Sequence, residues 1–410
     1  MRELKALEIA ARMRVAWEDG AWSVPSQSGN GKYRVTLDGP SCTCEDFQLR
    51  QESCKHVIAA RLVCERDHGG KAPAIDTSAV PKKKTYSQNW KVYNEAQSIE
   101  KHRFQVLLQD LCKGIEEPPL PKTGRRPHLV KDAIFAMAFK VYSTFSSRRF
   151  SCDLKDAHEK GFLSRPVPGV KVSAFLENAD FTPLLSALII RSSLPLKSVE
   201  VDFAPDSSGF STSRFIRWFD HKYGVTRQEH DWVKVHLMCG VKTNIVTAVE
   251  IHGRDAGDSP QFIPLLKVTA ENFTIREVSA DKGYTSVDNT EAVFACGGIP
   301  FIAFKSNATG GAGGLWEKMF HYYSFNRDEF LKRYHKRSNV ESTISMIKAK
   351  FRDHVRSKTD VAMVNEVLCK ILCHNICVVI QSQCELGIEA TFWPEDSSEK
   401  AAVLPMIRPG

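Results

Sequence analysis

Tyr334, Arg337, Glu341 and Lys348 are four chemically active side chains at offsets of zero, three, seven and fourteen. At about 100° per residue they fall within roughly 60° of one helix face. Val340, Ile344 and Ile347 lie between them as an apolar stripe, so Tyr334–Lys348 reads as one amphipathic helix. Its polar face carries a carboxylate flanked by two cations and a phenol. Cations of that kind grip phosphodiester oxygens, and a carboxylate can hold a metal. A charged trio alone suits a solvated helix face equally well. Phosphate chemistry requires further acids.

Two aspartates stand where they could serve. Asp206 precedes Ser-Ser-Gly-Phe, and Asp281 precedes Lys-Gly-Tyr. The first follows an alternating segment with Val199, Val201 and Phe203, which reads as a strand running into a turn at Pro205 and Asp206. The second follows the strand-like Phe273–Val278. Ends of adjacent strands are where α/β sheets place ligands. Carboxylates 75 and 60 residues apart can therefore converge. Hydrolysis of a phosphodiester needs an activated water and a stabilised leaving oxygen, which two divalent ions about 4 Å apart supply. Magnesium suits such hard oxygen ligands, and binding it relieves the repulsion among the acids. Asp202 has the same side-chain parity as Asp206 and competes with it for the first position.

These three motifs together resemble the insertion-sequence DDE transposases. Tyr334, Arg337, Glu341 and Lys348 match the Tyr-x2-Arg-x3-Glu-x6-Lys signature at every position, and Asp206-Ser-Ser-Gly and Asp281-Lys-Gly-Tyr look like the two aspartate motifs. The Ser-Ser-Gly that follows makes Asp206 the choice over Asp202. The resemblance covers about residues 120–380 and implies a ribonuclease H-like catalytic domain. It implies Asp206, Asp281 and Glu341 as catalytic acids holding Mg²⁺ or Mn²⁺, with Arg337 and Lys348 gripping double-stranded transposon-end DNA and Tyr334 supporting it. The implied activity is cleavage at the element ends and joining of the 3′-hydroxyls to target DNA, in a homodimer or larger synaptic assembly. The rivals are a nuclease that cuts without joining and a DNA-binding regulator derived from a transposase.

A second constellation lies far upstream. Cys42-Thr-Cys44 and Cys54-Lys-His56 supply four ligands within fifteen residues, the count for a tetrahedral zinc. With every position filled, such a site is structural and its module binds rather than catalyses. The two predicted strands before it, Glu45-Asp46-Phe47 after the first pair, and a helix over 57–64 resemble the SWIM-type zinc finger. Cys369, Cys373 and Cys377 also stand near a histidine, His374, but step by four along an apolar segment and read as core. His236 reads as a structural or DNA-contacting histidine.

The elements that must position these residues follow from the periodicity. Residues 1–68 form the finger region, opening with a helix to about residue 20. Residues 69–89 are a basic linker containing Lys82, Lys83 and Lys84. Residues 90–195 read as an all-helical DNA-binding or dimerisation domain, with Arg125-Arg126 and Arg148-Arg149 as exposed basic turns. Residues 196–380 give three hairpin-connected strands, a helix, a fourth strand, a helix, a fifth strand and closing helices. The predicted fold is thus α/β, a five-stranded mixed sheet with flanking helices. Residues 381–410 are a tail. The 410 residues carry a net charge of +8, which is compatible with a nucleic-acid partner. The longest apolar runs are short for a bilayer, no signal pattern opens the chain, and twelve cysteines read as reduced thiols. A cytoplasmic, nucleoid-associated protein of prokaryotic type, without membrane attachment, is the expectation.

Overall fold

Asp19-Gly20 decides how the chain begins. In a computed structural model of the protein, which describes residues 2–27, 31–70, 89–119, 123–124, 126–212, 232–253, 255–305 and 307–393, helix α1 (Arg2–Arg12) stops well short of residue 20. Strands β1 (Ala16–Glu18) and β2 (Ala21–Pro25) follow, joined across Asp19 and Gly20 at φ of 50° and 75°. Both residues of such a two-residue turn need positive φ, and Asp-Gly supplies it. Trp17 packs edge-on against Trp22 at 5.2 Å across the hairpin, which outweighs the helical periodicity. Strands β3 (Lys32–Thr36) and β4 (Ser41–Cys42) complete an antiparallel sheet in the order β1-β2-β3-β4. Helices α2 (Glu45–Arg50) and α3 (Lys55–His68) close the unit over a core of Ala6, Ile9, Trp22, Val35, Val57 and Val63.

Residues 1–87 make one compact unit and 88–410 another. The linker lysines 82–84, Arg125 and the tail from 394 lie outside the described residues. In the second unit, α4 (Trp90–Cys112), α5 (Val130–Ser143), α6 (Ser147–Glu159), α7 (Lys171–Leu176) and α8 (Phe181–Ser193) share one hydrophobic core with the sheet that follows.

That sheet contains β5 (Asp202–Ser211), β6 (Trp232–Gly240), β7 (Val246–His252), β8 (Glu277–Ala280) and β9 (Ile299–Ile302), in the order β7-β6-β5-β8-β9. The β5-β6-β7 pairs are antiparallel, and the β5-β8 and β8-β9 pairs are parallel. Helices α9 (Ser259–Asn272), α10 (Val287–Ala295), α11 (Gly314–Phe325), α12 (Arg327–Tyr334), α13 (Ser338–Phe351) and α14 (Asp360–Leu386) flank it. This is the ribonuclease H-like arrangement expected.

Two details differ from expectation. The strand does not turn at Pro205: β5 stays paired with β6 from Phe203 to Ser211. Strand β8 pairs with β5 only at Asp202 and Phe203, so no β8 ladder partner remains at Pro205 and a missing N–H is tolerated. The second is α14, which is long and apolar enough to cross a membrane, yet 83% of its most apolar window is buried inside the protein. Polar residues hid its length in the sequence. They are satisfied internally: Asn365 Nδ2 donates to Leu176 O at 2.9 Å, and Asn375 Nδ2 donates to Val246 O at 2.8 Å. Cys369 and Cys373 are fully buried on the same helix, and His374 Nε2 lies 2.9 Å from Asn244 O, so this group is core.

Candidate active site and candidate metal centre

Parallel pairing of β5 with β8 aligns the segments that lead into two aspartates. Asp202 pairs with Glu277 and Phe203 with Val278. Counted four residues on, this register aligns Asp206 with Asp281 in sequence, although the β5-β8 ladder itself ends at Phe203 and Val278. Asp206 is half-buried within β5, whereas Asp281 is exposed just past the end of β8. Glu341 lies exposed in the first turn of α13.

The helix face is assembled differently from its sequence pattern. Tyr334 ends α12, His335–Arg337 form a 3₁₀ turn, and α13 begins at Ser338. The tighter turn still keeps the trio together. Arg337 Nε donates to the Tyr334 hydroxyl at 2.9 Å, and its Nη1 binds Glu341 Oε1 at 2.8 Å. The Tyr334 hydroxyl in turn donates to Asp281 Oδ1 at 3.4 Å. One hydrogen-bonded chain thus ties Asp281 to Glu341. Asp206 joins it electrostatically: burial first, and then the charges of Glu341 and Asp258, push its carboxyl above the ordinary aspartate value. Lys348 reaches β5, where its Nζ donates to Ser208 Oγ at 2.7 Å. Gly209 of the same motif is required because a Cβ there would meet the Trp232 ring at 2.0 Å.

Asp202 is differently placed. Arg276 binds it with two hydrogen bonds of 2.9 and 2.8 Å, and Lys336 bridges it at 2.7 Å to Glu277 at 2.6 Å. Burial pushes Asp202 up, but these cations outweigh it and hold the carboxyl below its ordinary value. Arg333 also pairs with Glu277. The lower carboxylate pair is therefore locked in ion pairs, whereas Arg337 acts on Asp206 and Asp281, and Lys348 on Asp206, through charge alone.

Asp258 is the residue that sequence reading missed. It caps α9 in position but not by side chain. Its Oδ1 instead accepts from Ser207 Oγ at 2.9 Å and pairs with Lys234 at 2.8 Å. His236 is fully buried 3.7 Å from the same oxygen, and burial, then Lys234, push its pKa down to about 4. That burial removes it from DNA contact. The capping pattern at Asp258-Ser-Pro hid a residue whose partner sits beside Asp206. The Tyr284 hydroxyl is buried without a hydrogen-bond partner among the described residues, and burial and the charges of Asp258, Asp206 and Asp281 raise its pKa.

The zinc-ligand pattern converges fully. Cys42 ends β4, Cys44 and Cys54 cap α2 and α3, and His56 lies in the first turn of α3. All four are buried, and their ligand atoms lie within 4.8 Å of one another. His56 Nδ1 stands 3.9 Å from both Cys42 Sγ and Cys54 Sγ. Ligands of one tetrahedral zinc stand roughly 3.6 Å apart, so the two His56 spacings fit the ion within a few tenths of an ångström. Hydrogen bonding from Cys42 holds the Cys54 thiol down at about 3, so one thiolate is already favoured. Among the described residues no other cluster of three or more such ligands is this tight; the three acids stand wider.

Comparison with known proteins matches a family model to each of the two regions. Residues 197–376 match the transposase DDE domain, and residues 33–65 match the SWIM zinc finger. No curated protein and no solved structure matches the chain.

Proposed function

We propose, on the premise that the chain carries a transposase DDE domain behind a SWIM zinc finger, that it is an active DNA transposase of insertion-sequence type. It binds the ends of its own element, hydrolyses a phosphodiester at each and joins the freed 3′-hydroxyls to target DNA. The observation that supports this is the Asp281–Tyr334–Arg337–Glu341 chain of hydrogen bonds, together with the charge of Glu341 felt at Asp206.

Asp206, Asp281 and Glu341 form an excess of negative charge fit to hold Mg²⁺ or Mn²⁺. Such an ion pair would supply water activation and stabilise the leaving oxygen. Arg337 keeps Glu341 and Tyr334 in place until DNA arrives and then turns a donor to the phosphate. Lys348 presents its ammonium beside β5 for the same strand. Asp202, held by Arg276 and Lys336, positions β5 against β8 rather than taking metal. The finger holds zinc as a fold-forming ion and contributes to end recognition, target choice or a protein contact. Residues 90–195 serve as the DNA-binding or dimerisation layer, since two ends must be held in one synapse. The protein works in the cytoplasm on the nucleoid.

The test is cleavage of a DNA fragment carrying the gene's own flanks, by purified protein with Mg²⁺, beside Asp281→Asn and Glu341→Gln. Nicks at the element ends that need metal and vanish in both variants are expected. A wild type that binds the fragment without cutting it, as the variants do, replaces this reading with the DNA-binding regulator. Nicks without strand-transfer products replace it with the nuclease.

A further inference from the structure

A cavity of about 400 Å³ opens where the end of α13 meets α5, α6, α7 and α14. Five cations line it, Lys140, Arg352, Arg356, Lys358 and Lys370, against two carboxylates, Glu177 and Glu366. The bonds these cations make go to backbone carbonyls. Arg352 Nη2 donates to Thr144 O at 3.2 Å, and Arg356 Nη1 donates to Thr144 O and Phe145 O at 3.1 and 3.2 Å. Lys140 donates to the same Phe145 carbonyl. Lys370 donates to His354 O at 2.6 Å. Among the described residues only Lys370 has a carboxylate within ion-pair reach, Glu366 at 3.6 Å. Glu366 is itself engaged by the Arg356 and Ser357 backbone N–H groups, each at 2.9 Å.

Carbonyl dipoles orient the cations without neutralising them. The crowding is visible in their acidity: burial first, then Arg356, push Lys140 down to about 8. Burial and then Arg352 lower Arg356 as well. An apolar ligand would leave this charge unrelieved, and a cation would add to it. The cavity also receives Ser146 and Ser147, where the 13-residue α6 starts without a side-chain cap. A helix start of this kind presents N–H groups and a positive dipole end to an anion.

Its position relative to the acids identifies the anion. Glu341 and Phe351 lie at opposite ends of α13, ten residues apart, or about 15 Å. That distance spans roughly four base-pair steps of a duplex. Lys348, bonded to Ser208, lies between them. We infer that the cavity is a phosphate-binding site for the DNA backbone, taking a phosphate about four base pairs from the bond held at Asp206, Asp281 and Glu341. This rests on the reading that DNA crosses those acids.

The test is binding of a labelled end-bearing duplex to the full-length protein over a salt series, followed by cleavage with Mg²⁺. Lys358 is exposed and forms no described ion pair, so Lys358→Glu probes the cavity without disturbing the fold; Arg356→Gln and Arg356→Lys accompany it. Lys358→Glu and Arg356→Gln should each weaken binding about fivefold or more and reduce the salt slope by about one, with Arg356→Lys near wild type. The difference should vanish on a duplex cut back to about two base pairs beyond the scissile bond, which cannot reach the cavity. A wild type that cuts, with variants unchanged in affinity and slope, overturns the cavity and leaves the transposase reading standing. Reduced slopes in a protein that never cuts do the reverse. If inorganic phosphate raises the melting temperature of wild type but not of Arg356→Gln, while DNA affinity and slope are equal in both, the site takes a free anion and the DNA assignment fails.

Discussion

The finger and the proposed acid site would solve the same problem, holding a cation, in opposite ways. In the finger four buried ligands from fifteen residues already stand within 4.8 Å of one another. In the acid site three carboxylates from positions spanning 135 residues stay wider apart, and two of them are exposed. A closed thiolate site is complete without solvent or substrate, so it can act as a fold determinant. An oxygen site that must admit water and a phosphodiester has to remain open, and its carboxylates repel one another until metal arrives. The first should therefore report its metal through stability, the second through chemistry.

Zinc removal tests the first half most strongly. Stripping the ion, or replacing Cys54 with Ser, should unfold residues 1–87, because structural zinc contributes on the order of 10 kcal/mol to so small a unit. Circular dichroism and limited proteolysis should show that loss, with the transition of the second unit unmoved. A finger that keeps its protection without zinc would break the contrast.

Next in size is Glu341→Gln. Cleavage should fall by on the order of a thousandfold or more, while the unfolding free energy stays within about 0.5 kcal/mol of wild type, as for an exposed residue. A large stability loss would place Glu341 with the structural acids.

Asp202→Asn should do the opposite. It leaves Arg276 without its carboxylate and Lys336 with Glu277 alone, a loss of about 2 kcal/mol by thermal or denaturant unfolding. Metal-dependent cleavage should persist at the temperatures where the protein is folded. Abolished cleavage in a stable variant would make Asp202 the first acid after all.

The smallest effect is the most specific. Asp206 has its carboxyl raised above the unfolded value, mainly by burial. A raised acid favours the fold below its unfolded pKa and loses that contribution as pH rises through the folded one. At neutral pH it therefore opposes the metal-free fold. Asp206→Asn should raise the metal-free melting temperature slightly and abolish the further rise that Mg²⁺ gives wild type. The wild-type advantage from Mg²⁺ should fade on acidification at a pH above that of an ordinary aspartate.

What could be read in the chain depended on how local the determinant was. The zinc ligands lie in a fifteen-residue stretch, and Tyr334, Arg337 and Glu341 are neighbours on successive helical turns, so pattern alone marked them. The hairpin at Asp19-Gly20 was also legible, as a two-residue turn signal, but helical periodicity concealed it. Asp258 was not legible, because its capping position is a local feature and its bond to Ser207 is not. The cationic cavity was not legible either, since residues 140, 177 and 352–370 meet only after α13 and α14 pack against the helices before the sheet.

By itself the sequence determined the order of strands and helices from β5 to β9, the finger ligands and the acidic motifs, because side-chain periodicity and short-range spacing suffice for these. Only tertiary structure decided which of Asp202 and Asp206 carries uncompensated charge. Their parity is identical, and the difference comes from Arg276 and Lys336, which the β5-β8 register and the 3₁₀ turn before α13 bring to one aspartate and not the other.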